Sequence, residues 1–177
     1  MVRECWLPLC LVGALSASTG CSLILDFSDS QIPIDAPPDT PYTQEQCMYK
    51  EPNDSIDTAA MIEPTEMGPA AICAPAMATD PEDTDFYKFT VPAGTASVQV
   101  KITFMTSPKG DLDLKLLDST GTMLAQSRGF LDFETITCPA MSPACAALAP
   151  GDYVFQVLPG SAMATNPYNI ELTITPM

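Results

Sequence analysis

The sequence predicts an all-β fold, a two-sheet antiparallel sandwich, on three observations. After Cys47 several short stretches alternate apolar and polar residues with a period of two. Turn signals separate these stretches, and no long segment shows helical spacing of its apolar residues. In chain order, a weak strand is expected from Ala70 to Cys73, and a stronger one starts near Asp85 with Tyr87, Phe89 and Val91 on one face. Val98, Val100, Ile102 and Phe104 share a face against Gln99, Lys101 and Thr103. Leu112, Leu114 and Leu116 lie opposite Asp111, Asp113 and Lys115. Weaker strands are expected from Thr122 to Ser127 and from Asp132 to Cys138. Tyr153, Phe155 and Val157 form the next apolar face, and Tyr168, Ile170, Leu172 and Ile174 the last. Pro92-Ala-Gly94, Ser107-Pro-Lys-Gly110, Asp118-Ser-Thr-Gly121 and Ala149-Pro-Gly-Asp152 punctuate them as turns. Helix is limited to a short turn between Ser55 and Met61. Strands this short, each with one apolar face, must bury that face against a second sheet.

The 177 residues carry 7 Lys+Arg against 22 Asp+Glu, a net charge of −15. Such a surface repels a polyanion, because binding phosphates takes basic patches, so nucleic acid is excluded as a partner. The acidity suits solubility, metal ions or basic partners. At the N-terminus, Arg3 opens a positive region weakened by Glu4. A mostly apolar run from Cys5 to Ala17 follows, too short to span a bilayer, and no later run is long enough either. The stretch Leu15-Ser-Ala-Ser-Thr-Gly-Cys21 resembles a lipobox, the cleavage site of lipoprotein signal peptides, with Ser18 where that motif usually has Leu. The resemblance implies a signal peptide over 1–20, diacylation of Cys21 and a membrane tether through the lipid. The alternative is an ordinary signal peptide with Cys21 a plain cysteine. Ser22, rather than Asp, follows Cys21, which by analogy points to the outer membrane of a Gram-negative cell.

Residues 21–46 read as an acidic, proline-rich tether. Pro33, Pro37, Pro38 and Pro41 alternate with Asp26, Asp29, Asp35 and Asp39, a composition that favours an extended, semi-rigid spacer. The folded domain is expected over 47–177. With Cys5 and Cys10 in the signal and Cys21 lipidated, Cys47, Cys73, Cys138 and Cys145 remain, enough for two disulfides in an oxidising compartment. Cys138 and Cys145 bracket a short loop and are expected to pair, leaving Cys47 for Cys73. Zinc is disfavoured by the spacing and by the absence of His.

Catalytic signatures are sparse. Without His the chain lacks the commonest general base. There is no Gly-x-Ser-x-Gly elbow and no glycine-rich phosphate loop. Paired carboxylates of the glycosidase kind could be drawn from many Asp and Glu residues, but nothing ranks one pair. A non-enzymatic role is expected, with no catalytic residues.

Five motifs in order carry a family resemblance. They are Glu51-Pro-Asn-Asp-Ser55 with Ala59-Ala60; Asp83-Thr-Asp-Phe-Tyr-Lys-Phe89 leading into Val91-Pro-Ala-Gly94; Gly110-Asp-Leu-Asp-Leu-Lys-Leu-Leu-Asp118; Pro150-Gly-Asp-Tyr-Val-Phe-Gln-Val157; and Tyr168-Asn-Ile-Glu-Leu172. Together they resemble the bacterial pre-peptidase C-terminal (PPC) domain, to which the collagen-binding modules of bacterial collagenases look related. The resemblance implies an antiparallel eight-stranded, jelly-roll-like sandwich. It also implies a Ca²⁺ site, since some relatives hold calcium at the start of the domain. The matching positions are Glu51, Asn53, Asp54, Asp83 and Asp85, and hard calcium takes about 6–8 oxygens of this type. One departure stands out: Tyr49 occupies a place where relatives often carry a further acid. On the plainer reading, Asn53 and Asp54 form a turn or cap, and Asp83 and Asp85 are solvated. Asp111 and Asp113 are a second pair on one strand face, expected to be an exposed polar face near Lys101 or Lys115. The function expected is a surface-anchored, non-catalytic binding module for a protein or polysaccharide. The runner-up is a structural or accessory envelope lipoprotein that assists secreted proteins. Tyr87, Tyr153 and Tyr168 fall on core faces, which argues against an aromatic collagen-binding surface.

Overall fold

Alternation along each strand settles into two stacked sheets in the structure, a computed structural model that describes residues 43–65, 68–74, 82–161 and 164–177. The signal segment, Cys21 and the tether up to residue 42 lie outside the described residues. The strands are β1 (Ala60–Met61), β2 (Pro69–Ile72), β3 (Asp85–Val91), β4 (Thr95–Thr103), β5 (Leu112–Asp118), β6 (Met123–Ser127), β7 (Phe133–Cys138), β8 (Ala140–Met141), β9 (Ala144–Cys145), β10 (Gly151–Pro159) and β11 (Asn166–Pro176). One sheet runs β1-β3-β10-β5-β6, the other β2-β11-β4-β7, and β8-β9 form a small hairpin. Among the described residues eight strands exceed two residues, and all eight pair antiparallel; the two-residue β1 lies parallel to β3. The fold is the all-β antiparallel sandwich that the alternation implies.

The apolar faces meet between the sheets. Phe155 on β10 sits in register between Tyr87 on β3 and Leu116 on β5, and its ring lies 5.1 Å from that of Tyr87 and 6.1 Å from that of Phe89. Facing them, Val100 is flanked in register by Leu172 and Ile136, all three buried. Two covalent ties close the ends of the fold. Cys47, on a helical turn α1 (Gln44–Cys47) capped by Thr43, bonds Cys73 just beyond β2. Cys138 bonds Cys145 across the β8–β9 hairpin. Both pairs are those expected from the sequence.

Glycine is required where β5 begins. Gly110 has φ +98°, and a Cβ there would meet Ala164 at 2.6 Å, so no side chain fits the turn. Asn166, fully buried, donates to the carbonyls of Met105 and Gly110 at 2.8 Å each and pins this turn to β11.

One expectation fails here. Asp111 and Asp113 do not form an exposed polar face; they are 8% and 5% exposed. Alternation places them opposite the core leucines, but their side of the sheet is covered at this end. Gly160, just after β10, lies against both carboxylates, and Arg128, just after β6, donates to Asp113 Oδ2 at 3.0 Å.

Candidate functional site

The five acidic and amide positions at the start of the domain come from two segments, 51–54 and 83–85, and the fold brings both to one end of β3. The Phe86 N–H donates to the Asn53 carbonyl at 2.8 Å, which lays the first segment across the head of the strand. That segment is kept short and tight locally. Glu51 Oε2 accepts the Asn53 N–H at 2.8 Å, and Ser55 caps a single 3₁₀ turn over Ile56–Thr58. The cap is therefore Ser55, not Asn53 or Asp54. The second segment is held through the disulfide: the Cys73 N–H donates to Asp83 Oδ2 at 2.6 Å, and Cys73 is bonded to Cys47.

Glu51, Asp83 and Asp85 each turn one carboxylate oxygen inward so that these atoms lie within 4.8 Å of one another. Asp85 is 2% exposed, not a solvated residue at a strand's start. Asn53 is fully buried between them. With its amide nitrogen facing inward, it donates to Glu51 Oε1 and Oε2 at 3.1 Å each and to Asp85 Oδ1 at 3.0 Å; rotated about its last bond, it aims its carbonyl oxygen at the same atoms. One side chain thus either satisfies the carboxylates by hydrogen bonds or adds a fourth oxygen to them. Asp54 stands exposed at the rim, its charge acting on all three carboxylates and its side chain within hydrogen-bonding reach of Asp83.

The electrostatics follow from burial first. Desolvation raises Glu51, with Asp54 and Asp83 adding repulsion against the opposing Asn53 N–H. Asp83 is raised by burial, partly offset by the Cys73 N–H. Asp85 is pushed well above the usual carboxylate range by burial and then by the charge of Asp83, while a hydrogen bond from Tyr168 works the other way. The hydroxyl of Tyr168 donates to Asp85 Oδ2, and the hydroxyls of Tyr87 and Tyr168 are 2.8 Å apart. Burial raises both phenols, so both stay protonated donors. Converging carboxylates whose charged forms are disfavoured by one another are the usual setting for a divalent cation. The donor set fits calcium: carboxylates, an amide carbonyl and no nitrogen or sulfur ligand.

Of the five positions expected from the sequence, the structure brings the carboxylates of Glu51, Asp83 and Asp85 together; the two tyrosines behind Asp85 were expected only as core residues. They are core residues, fully or almost fully buried. The overlooked signal is that a buried phenol must find a partner for its hydroxyl. Tyr49, in the place of an expected acid, packs its ring on Gly68, where a Cβ would come within 2.0 Å of it, and against the core edge. It spends its position on packing.

Comparison with known proteins follows the same lines. Residues 83–158 match the family profile described as the bacterial pre-peptidase C-terminal domain. Among curated proteins none matches the sequence significantly. Among solved structures, the chain is similar to the 1.0 Å crystal structure of the pre-peptidase C-terminal domain of collagenase from Bacillus anthracis, at 12% identity and a TM-score of 0.49, covering 65% of this chain and 94% of that one. The matched segment, Asp83 to Leu158, takes in β3 to β9 and most of β10, and over this part of the sandwich the chain is similar to the bacterial pre-peptidase C-terminal domain.

Proposed function

We propose that the chain is a non-catalytic binding module of the bacterial cell envelope, stabilised by Ca²⁺ at Glu51, Asn53, Asp54, Asp83 and Asp85, and anchored by lipid on Cys21. The observation that carries this reading is the convergence of Glu51, Asp83 and Asp85 within 4.8 Å around a buried asparagine. Calcium there would clamp segment 51–54 to the head of β3. It would thereby fix the point where the chain entering from the tether meets the sandwich. The ligand class is a protein or polysaccharide. An exposed apolar group supports a recognition surface: Phe130 is 90% exposed, and Met105, Leu131 and Phe133 are also exposed. They are neighbours through the Phe133–Thr103 pair and the Thr106 hydroxyl, which donates to the Leu131 carbonyl at 3.1 Å.

Calorimetric titration of the full chain with Ca²⁺ tests the cation. Asp83→Asn is expected to remove one bound Ca²⁺ per chain, and an unchanged isotherm would sink the site. Palmitate labelling in cells, lost in Cys21→Ser, tests the anchor. Binding to envelope polysaccharides and secreted proteins, lost in Phe130→Ser/Leu131→Ser with Ca²⁺ binding intact, tests the recognition surface.

A further inference from the structure

A second set of carboxylates lies on the other side of the same sheet. β10 separates it from the site above: Asp85 pairs with Val157 on one flank of that strand and Asp113 with Leu158 on the other. Asp85 shares a strand face with the core residue Tyr87, whereas Asp113 faces away from the core leucines of β5. Asp111 and Asp113 are both more than nine-tenths buried. The Gly160 backbone packs closely on both carboxylates, for a Cβ there would lie 2.8 Å from Asp111 Oδ2 and 3.0 Å from Asp113 Oδ1, so one oxygen of each acid is turned toward the same point of the chain. The backbone around this point is held firmly. The Gly160 N–H donates to the Asp111 carbonyl at 2.8 Å, and the Asp111 N–H to Ser161 Oγ at 3.2 Å.

Part of this cluster is satisfied within the protein. Asp113 Oδ2 accepts from Arg128 Nε at 3.0 Å. Glu134, buried on β7, accepts the Ser127 hydroxyl on Oε2 and the Gly129 N–H on Oε1, the latter at 2.6 Å. Asp111 is different: the Leu112 N–H bonds its carboxylate, but its buried Oδ1 finds no hydrogen-bond partner among the described residues. A buried, unpaired carboxylate oxygen is costly, far more so than a neutral acceptor. Its neighbours make this worse, since Asp113 repels it and Glu134 and the two aspartates repel one another. The Arg128 pair accounts for one oxygen of Asp113 and leaves Asp111 Oδ1 unexplained.

We propose that Asp111 and Asp113 hold a second divalent cation, of the hard, oxygen-seeking class to which Ca²⁺ belongs. Asp111 supplies a carboxylate whose Oδ1 is otherwise unpartnered, Asp113 supplies Oδ1, and Glu134 adds negative charge without ligating. Asp113 pairs with Arg128 while Asp111 and Glu134 add further negative charge, a surplus that a divalent ion neutralises. Calcium suits the place because it accepts bidentate carboxylates, backbone carbonyls and water in irregular geometry. Arg128 competes for Asp113 from the exposed side. It stabilises the pair when the cation is absent and yields to it when present.

Equilibrium dialysis of the full chain against radiolabelled Ca²⁺ counts the ions. Two per chain are expected, falling to one in Asp111→Asn/Asp113→Asn and to one in Asp83→Asn/Asp85→Asn. A count unaffected by Asp111→Asn/Asp113→Asn overturns the second site, whatever the other variant does. A count unaffected by Asp83→Asn/Asp85→Asn overturns the first site instead. Arg128→Gln keeps every carboxylate and removes the competitor, so it decides the matter even if the double variant fails to fold. Several-fold tighter binding of one Ca²⁺ is expected, and unchanged or weaker binding refutes the assignment.

Discussion

Asp85→Asn is expected to stabilise the protein in chelator and to weaken its response to calcium. Glu51, Asp83 and Asp85 have ligand oxygens within 4.8 Å of one another. At an effective dielectric constant of about 20, two unit charges at that distance repel by about 3 kcal/mol. Asn53 donors and partial protonation relieve much of this. Removing the most buried charge should therefore return roughly 1–2 kcal/mol at pH 7, or about 3–8 °C in Tm for a domain of this size. Asn keeps an acceptor for the Tyr168 hydroxyl. The pH dependence separates this effect from packing. A carboxyl whose folded pKa is raised costs stability as pH climbs from its unfolded value through its folded one. Glu51, Asp83 and Asp85 are all raised, as are Asp111 and Glu134. In chelator the wild type should thus lose stability from about pH 4 towards neutrality, and the advantage of Asp85→Asn should vanish towards pH 4. Asp118 and Asp152 are lowered by their hydrogen bonds, so their stabilisation is lost only below the ordinary Asp value. In excess Ca²⁺ the order reverses: the wild type gains about 2.7 kcal/mol from this site at 100 times Kd. Asp85→Asn forgoes that gain and keeps only what the Asp111 site supplies. Thermal unfolding followed by circular dichroism reads all of this. A lower Tm for Asp85→Asn in chelator at pH 7, or a difference independent of pH, would refute the reasoning.

Three further outcomes follow from named contacts. Tyr168→Phe should cost about 1–3 kcal/mol in chelator, because Asp85 Oδ2 loses its donor; in an Asp85→Asn background the cost should shrink, which a double-mutant cycle in urea measures. Replacing Cys47 and Cys73 by Ser opens a loop with a sequence separation of 26 and should cost about 3–4 kcal/mol, against about 2–3 for Cys138 and Cys145 with a separation of 7. Only the first replacement should also weaken Ca²⁺ binding, because Cys73 holds Asp83; equal effects of the two pairs on the calcium isotherm would contradict that link. Leu114→Ala should cost about 2–5 kcal/mol at a fully buried position, while Lys115→Ala, on the opposite face, should stay within about 0.5 kcal/mol, as urea midpoints would show.

The sandwich was legible because its information is local. Period-two alternation in Val98 to Phe104 or Tyr168 to Ile174 fixes which side of each strand is apolar, and turn residues fix where each strand stops. The disulfide pairs followed from spacing and count. Asp83 and Asp85 could be named from a motif, but nothing in the sequence says that the hydroxyls of Tyr87 and Tyr168, the latter some 83 residues from Asp85, meet behind the carboxylate. Nor does alternation tell how a sheet's outer face is covered. It set Asp111 and Asp113 opposite the leucines, and only the segment after β10 and the arm of Arg128 decide that this face is dry at one end. By itself the sequence determined the fold class, the strand faces, the covalent ties and the acidic positions, since each rests on neighbours along the chain. Which carboxylates converge, which of them lose water and which is left without a partner were decided by tertiary structure alone, because desolvation and charge–charge distance are properties of packed segments.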